Sequence, residues 1–426
     1  MERVIFTPNM EEGLLADVAG EEIPSLIPDN DDLKHVIEVL CAGGYGAWIV
    51  GGAVRDCILG SAPKEYDICT TAKPNEVIES FEETILTGEK YGTITVKSGD
   101  SMFEVTTLRT ETGYGDGRRP DEVNWGTSLK IDLSRRDFTM NAMAYDLARQ
   151  LLHDPYGGKL DLQKGCLRAV GDASQRLSED GLRIMRAYRF MDRQENGIWY
   201  PESELSIALI ENRAMLTMVS IERIWNELSR IIIGKNAEIV LSRMNDDGVL
   251  GAIFGYPINS ENIALISKLD EDLEARFAII LSQLRIREVE VILERLKVSN
   301  AVSSRVRNLH SLLSKTPTSN ELRLYRNTLG KEVLTHSSML SAIEADTTLV
   351  NKSLEYPYDI ECLVDGDWIM DRTGLSPGIK LGRLKDWLFR IQIERGYDNL
   401  GQMETALCTI PWQSGDPKEW PRPMWS

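Results

Sequence analysis

The sequence has no apolar run approaching the roughly 18 residues a membrane-spanning helix needs, so nothing in it reads as a bilayer crossing. The opening MERVIFTPNMEEGLLADVAGEE has no basic segment followed by an apolar one and does not read as a secretory signal, and a cytoplasmic protein is expected. Cysteine is sparse and scattered: Cys41, Cys57, Cys69, Cys166, Cys362 and Cys408 form no CxxC pair, which argues against a zinc ribbon and a disulfide framework. With only four histidines (His35, His153, His310, His336) and no HExxH, a histidine-built metal hydrolase is also disfavoured. Positive charge is in deficit, 48 Lys and Arg against 66 Asp and Glu, for a net charge of −18. Phosphate contacts dominate nucleic-acid affinity, so the average charge speaks against such a partner. The average conceals basic groups at Arg118/Arg119, Arg135/Arg136, Arg183 to Arg193 and Lys380 to Lys385, and a basic groove on an acidic body is compatible with them.

What is present is an ordinary globular composition, 42% hydrophobic and 27% charged over 426 residues. At about 100–200 residues per domain, that length accommodates two to four structural units. Residues 1–30 are acidic and rich in turn formers and read as an extension with little core potential. From residue 31, DDLKHVIEVLCAGG has an aspartate at a cap position, apolar residues at helical spacing (Leu33, Val36, Ile37, Leu40) and a Gly-Gly stop. AWIV predicts a short buried strand and AVRDCILG a helix; YDICTTA, TITVKSG, MFEVTTLRT and the segment near AMAYDL predict further strands. Beyond about residue 165 the strand signals fade. SEDGLRIMRAYRFMDR, SIERIWNELSRIII, EDLEARFAIILSQL, REVEVILERLK and SSRVRNLHSLLSK all carry the 3.6-residue period.

Five short stretches carry chemistry. GGAVRD (51–56) sets Gly51 and Gly52 at a strand-to-helix turn, where absent side chains let backbone N–H groups approach phosphate, with Arg55 one turn in. In EYD (65–67), residues i and i+2 on a strand share a face, so Glu65 and Asp67 are expected to project together. Paired carboxylates with Mg²⁺ suit phosphoryl transfer, and Glu104, inside the apolar run MFEVTTLR, offers a third. The other reading of Glu104 is an edge-strand charge facing water. SRRDFTMNA (134–142) adds Arg136. In EDGLRIMRAYRF (179–190), Ile184, Tyr188 and Met191 form a core stripe while Arg183, Arg186 and Arg189 fan away from it. Asp180 lies three residues before Arg183. An aspartate accepting from an exocyclic amine beside an arginine donating to ring atoms suits reading a nucleobase edge; a salt-bridged exposed helix is the alternative.

GGAVRD, EYD, EVTTLR, RRDFTMNA, DPYGG, EDGLRIMRAYRF and SIERIWNEL stand in the order and approximate spacing of the bacterial-type (class II) tRNA nucleotidyltransferases, and over about residues 31–235 the chain resembles these CCA-adding enzymes of the polymerase β-like superfamily. A weaker likeness runs through VDGDWIMDRTGLSPGIKLGRLKDWL in the tail. The resemblance implies an α+β protein of seahorse shape: an extension (1–30), a nucleotidyltransferase head with a small mixed sheet (31–165), then an all-α neck that selects the nucleotide (166–235), body (236–325) and tRNA-binding tail (326–426). It implies that Glu65, Asp67 and Glu104 bind Mg²⁺, with Mn²⁺ the alternative. Gly51, Gly52, Arg55 and Arg136 would contact nucleotide phosphates or sugar. Asp180 and Arg183 would read the base, supported by Arg186 and Arg189. The partners implied are tRNA, CTP and ATP, with no membrane.

Bacterial poly(A) polymerases share the head motifs, but VSIERIWNEL is nearer the CCA-adding pattern. The segment ETGYGDGRRPDEVNWG (111–126), with Arg118, Arg119, Asp121 and Glu122, corresponds to the flexible loop associated with adding the terminal A; an A-only enzyme fits it as well. Glu65 departs from the aspartate usual at its position. Its extra methylene moves the carboxylate outward by about 1.5 Å, one C–C bond, where catalytic geometry tolerates about 0.5 Å without support. A catalytically weakened RNA-binding relative is the reading that departure raises.

Overall fold

The computed structural model describes residues 14–88, 92–112 and 122–425. They fall into two units, Met1–Pro257 with Arg295–Lys297, and Ile258–Glu294 with Val298–Ser426. No helix among the described residues is long and apolar enough to cross a membrane.

The first unit is built on a mixed eight-stranded sheet. In chain order its strands are β1 (Gly20–Glu22), β2 (Ala47–Val50), β3 (Asp67–Thr70), β4 (Thr84–Gly88), β5 (Thr93–Ser98) and β6 (Ser101–Thr107). A separate hairpin follows, β7 (Arg109–Thr112) with β8 (Glu122–Trp125), and then β9 (Ala144–Asp146) and β10 (Leu151–His153) return to the sheet. The order across it is β1-β10-β9-β2-β3-β6-β5-β4, with β3 and β6 parallel. The four residues of β2 are all buried, as its unbroken apolar run requires of a central strand. Strand β6 alternates instead: Phe103 and Val105 are buried, while Met102 and Glu104 face outward. Because β6 lies between β3 and β5, Glu104 is on the open face of an interior strand and not at an edge.

Helix Asp31–Ala42 forms where its periodicity places it, with Leu33, Val36, Ile37 and Leu40 buried. Its cap is Asn30, whose side chain accepts from the Leu33 amide at 2.9 Å. Asp31 and Asp32 fall in the first turn, where negative charge favours the helix dipole. The N-terminal segment does more than extend. Strand β1 pairs antiparallel with β10 at the sheet edge, and Ile27 is buried. All three β1 residues are exposed, so its pairing is through backbone and leaves no apolar alternation to read.

The second unit is helical. Helix Leu273–Ile280 begins at Asp272 and Asn300–Leu312 at Ser299, each cap side chain accepting a backbone N–H. Tyr325, Val333, Leu340 and Val350 form one core cluster, joined by Trp425, whose ring meets Tyr325 edge-on at 4.9 Å. Another gathers Val364, Ile369, Leu384 and Leu388 on helix Ile379–Arg395 and its neighbours.

Candidate functional site

Strand β2 ends at Val50 because Gly51 leaves the sheet with φ 71° and ψ −130°, a conformation open to glycine and strained for any other residue. A Cβ at Gly51 would also lie 3.1 Å from Arg136 Nη1 and 3.6 Å from Asp67 Oδ2. The turn therefore brings bare backbone against one guanidinium and one carboxylate. Helix Gly52–Ile58 follows at once and carries Arg55, which donates to Asp56 Oδ1 and, through Nη1 at 2.8 Å, to Asn141 Oδ1. Arg136 is less fully engaged: Asp132 is 3.6 Å away, Asn141 O is at 3.5 Å, and its Nε is buried without a partner.

The carboxylates are arranged differently from the expectation of a strand pair. The last residue of β2 opposite β3 is Val50, which faces Asp67, so β3 begins at Asp67 and Glu65 lies in the loop before it. Asp67 instead pairs in register with Glu104 on β6. Burial against the site walls raises the Asp67 pKa, Arg136 opposes this and Glu65 adds to it. Burial, then the charges of Asp67 and Glu65, raise Glu104. Among the described residues no three acidic, His or Cys side chains are drawn together as a ready cation cage, so the expected closed cluster of Glu65, Asp67 and Glu104 is not assembled here. The physical reason is the register: Asp67 and Glu104 are paired across β3 and β6, whereas Glu65 stands on the loop before β3. Oxygen-only donors of this kind fit Mg²⁺ or Mn²⁺.

Helix Leu182–Met191 buries Ile184, Tyr188 and Met191 and turns its arginines to the open side. Gly181 precedes it because a Cβ there would sit 2.5 Å from the Met215 carbonyl oxygen. One cavity of about 530 Å³ then joins the segments: Gly51, Gly52, Arg55, Asp67 and Arg136 share it with Asp180, Arg183, Arg186 and Arg189. Eight predicted nucleotide-binding residues and Asp67 thus meet in one place. Glu65 and Glu104 do not line it.

The arginines are not free surface charges. Arg183 donates to Glu179 at 2.6 Å and to Arg135 O at 3.0 Å. Arg186 makes a two-pronged contact with Asp137 Oδ2 at 2.8 and 2.6 Å. Burial alone would raise Asp137, but Arg186, Asn141 and the Phe138 amide outweigh it and bring its pKa to about 2. Arg189 donates to the buried Glu227 at 2.5 Å, and burial with the nearby Arg186 lowers its pKa. The Phe190 ring sits amid Arg55, Arg186 and Arg189, with guanidinium carbons 5.3, 5.2 and 4.1 Å from its centre.

Sequence reasoning missed several of these residues. Asp137, Asn141 and Phe190 line the cavity, and so does Arg223, whose Nη2 donates to Asp180 Oδ2 at 2.9 Å. Arg223 and Glu227 stand four apart on helix Ile221–Ile232, so one face of it holds Asp180 and Arg189 together. That i, i+4 pair of opposite charges inside SIERIWNEL was the available signal. Of the 111–126 segment, Arg118, Arg119 and Asp121 lie outside the described residues, and Glu122 is described only as backbone of β8.

The Poly A polymerase head domain family matches residues 47–168, and the family described as probable RNA and SrmB-binding site of polymerase A matches 201–258. A CCA-adding enzyme of Lactobacillus delbrueckii subsp. bulgaricus is 32% identical over 360 residues, 82% of this chain and 90% of that protein. One from Lactococcus lactis subsp. cremoris is 34% identical over 366 residues, 82% and 89% of the two chains. The Bacillus stearothermophilus CCA-adding enzyme, solved in complex with CTP, superposes with a TM-score of 0.73 at 27% identity, covering 89% of this chain and 97% of that one. The Thermotoga maritima CCA-adding enzyme, solved with tRNA, shares the fold at a TM-score of 0.68 and 20% identity, covering 92% and 99%. With a paired-carboxylate strand register beside an arginine-walled cavity, and relatives above 30% identity over four-fifths of its length, this chain belongs to the CCA-adding enzyme family of nucleotidyltransferases.

Proposed function

We propose that the protein adds CCA to tRNA 3′ ends from CTP and ATP without a nucleic-acid template, by metal-dependent nucleotidyl transfer that releases pyrophosphate. The observation that carries the reading is the 530 Å³ cavity, where the Gly51–Arg55 turn, Asp67 and Arg136 face Asp180 and the arginines of helix Leu182–Met191. Phosphate oxygens approach backbone at Gly51 and Gly52, and Arg136, with its spare donor, and Arg55 take the phosphates or sugar. Asp180 accepts once from the Leu182 amide and twice from Arg223, and a carboxylate then has room for about one more donor. Cytosine and adenine both present an exocyclic amine to meet it. Arg183 supplies the donor beside it, and Arg186 and Arg189 support the bound nucleotide.

Asp67 and Glu104, with Glu65 from the adjoining loop, would hold Mg²⁺, or Mn²⁺. When bound, the cation supplies neutralisation of the triphosphate and a lowered pKa for the attacking hydroxyl. The tRNA 3′-hydroxyl gives its proton to solvent, its oxygen bonds to the α-phosphorus, and the bond to pyrophosphate breaks as pyrophosphate leaves. No histidine lines the cavity, which accords with a reaction that depends on positioning and charge. The head, neck, body and tail division and the role of the 111–126 loop in adding the terminal A belong to the same proposal.

The test is incubation with tRNA lacking its 3′ end and each labelled nucleotide, under Mg²⁺ or Mn²⁺. Two C and one A per tRNA is the expected result. Long A tracts on any RNA would identify a poly(A) polymerase, and A alone an A-adding enzyme. No incorporation with either metal, restored by Glu65→Asp, would identify a weakened relative.

A further inference from the structure

We infer that the cavity beside the Arg213–Met218 turn binds a small amphipathic anion, one carboxylate-type head on an aliphatic body, and that its occupancy bears on the nucleotide site. The cavity encloses about 430 Å³, within the range of small-molecule pockets, and its walls all belong to the first unit. Its floor is aliphatic and recessed, since Leu216, Val219, Ile224 and Ile253 are all buried. Its charged residues are Arg213 and Arg295, and among the described residues no acidic side chain lines it. Arg213 Nη1 donates to the Ile210 carbonyl at 2.9 Å and Arg295 Nη2 to the Ala252 carbonyl at 3.2 Å. Gly255 leaves room for Arg295, because a Cβ there would collide with Nη1. Five arginines of the nucleotide cavity each have a carboxylate, whereas among the described residues neither of these two is in an ion pair. A guanidinium has five N–H donors, so each keeps most of them for an acceptor from outside. In a chain of net charge −18, two cations without an acid at an apolar floor suit a ligand that brings an anion and an apolar surface together. An RNA backbone brings phosphate but nothing apolar to cover the floor, so a small amphipathic anion is the better match.

The floor adjoins the nucleotide site at two points. Val219 Cγ2 lies 3.0 Å from where a Cβ at Gly181 would stand, and Gly181 follows Asp180. Ile224 follows Arg223, which holds Asp180 Oδ2 at 2.9 Å. The packing has no slack for a methyl between the turn and Gly181, so a body seated on Val219 and Ile224 bears on the Asp180–Arg223 pair. The effect on nucleotide affinity equals the difference in the anion's own affinity between the free and the CTP-bound protein, and it is reciprocal. This coupling rests on the proposed nucleotide site; the anion site itself does not.

The experiment titrates octanoate into the full chain by calorimetry, for wild type and for the Arg213→Gln, Arg295→Gln double variant. Acetate supplies the head alone, and octylammonium the body with the opposite charge. The expected result is saturable octanoate binding by wild type, with the double variant and both control probes weaker by about tenfold or more. Saturating octanoate should change the Kd for CTP by about fivefold or more in wild type and leave it unchanged in the double variant. Octanoate binding that survives in the double variant, or that either control matches, overturns the site. A double variant that loses affinity for tRNA lacking CCA while keeping octanoate assigns the arginines to RNA and overturns it too. A CTP Kd indifferent to octanoate overturns the coupling. No CTP binding with or without octanoate overturns the proposed reaction instead and leaves the octanoate result standing. Both arginines are exposed, and an unchanged thermal midpoint in the variant separates lost binding from lost folding.

Discussion

Replacing Arg223 by methionine tests whether the face of helix Ile221–Ile232 sets the nucleotide choice. Methionine keeps much of the length and apolar stem but removes both guanidinium contacts to Asp180, at 2.9 and 3.4 Å. Asp180 would retain only the Leu182 amide, at 2.9 Å on its other oxygen. The pair is largely shielded, with side chains 24% and 16% exposed, so solvent screening discounts it only in part. A hydrogen bond to a charged group contributes about 1.5–3 kcal/mol. At about 1.4 kcal/mol per tenfold, kcat/KM for CTP and ATP should fall by roughly 10- to 100-fold, and the preference over UTP should narrow. Arg223→Lys should recover part of the rate, since it restores charge without the fork. The assay is single-nucleotide addition to tRNA lacking CCA, with each nucleotide titrated separately. Unchanged selectivity in Arg223→Met, at wild-type thermal stability, would refute the claim that Arg223 positions Asp180.

Three further outcomes follow from the same geometry. Gly51→Ala places a side chain in a strained backbone conformation 3.1 Å from Arg136, so a loss of about 1–3 kcal/mol should appear as a lower thermal midpoint, together with weaker CTP binding by calorimetry. Asp137 has its pKa depressed in the folded state, so its contribution is complete above the unfolded carboxylate value near 4 and is lost as pH falls toward 2. Acid unfolding of wild type should therefore steepen in that window, and Asp137→Asn should lower stability by about 2 kcal/mol at pH 7 while flattening the window. Asp67 and Glu104 have raised values, so their ionisation costs stability as pH rises through them. Mg²⁺ or Mn²⁺ should raise the thermal midpoint more at pH 7 than at pH 4, and Asp67→Asn should abolish the difference.

The helices of the second unit and strands β2, β5 and β6 were legible because their apolar periods are strong and their burial follows them. The site was legible in part for a different reason: GGAVRD, EYD and EDGLRIMRAYRF stand in the order and spacing of the nucleotidyltransferase motifs, although each taken alone also reads as a turn or a solvated surface. Glu65 was placed wrongly on a strand because period alone cannot say where a neighbouring strand stops. Gly51 ends β2 one residue past Val50, and that event is 14 positions away in sequence from Glu65. Strand β1 escaped notice because an exposed three-residue edge pairs by backbone alone. Arg223 and Glu227 were inside a quoted motif, yet their partners lie 43 and 38 residues away, a distance only the fold closes.

The same closure gives a chain of net charge −18 a locally basic cavity, as the proposed site for a polyanion requires. Seven arginines and three aspartates line the cavity, so it is locally basic although the body is acidic. The two basic runs 135–136 and 183–193 contribute to it from separate segments and read as ordinary surface charge when taken apart. Most of its arginines already have a carboxylate: Asp56 for Arg55, Glu179 for Arg183, Asp137 for Arg186, Glu227 for Arg189, Asp180 for Arg223. Such pairing reduces the long-range pull on nucleotides but fixes each guanidinium before one arrives. A flexible arginine gives up rotamer freedom when it binds, whereas one held by its own acid has already done so. On the proposed reading, discrimination between bases depends on where these donors point, and a site that reads nucleotides without a nucleic-acid template must hold that property rigid.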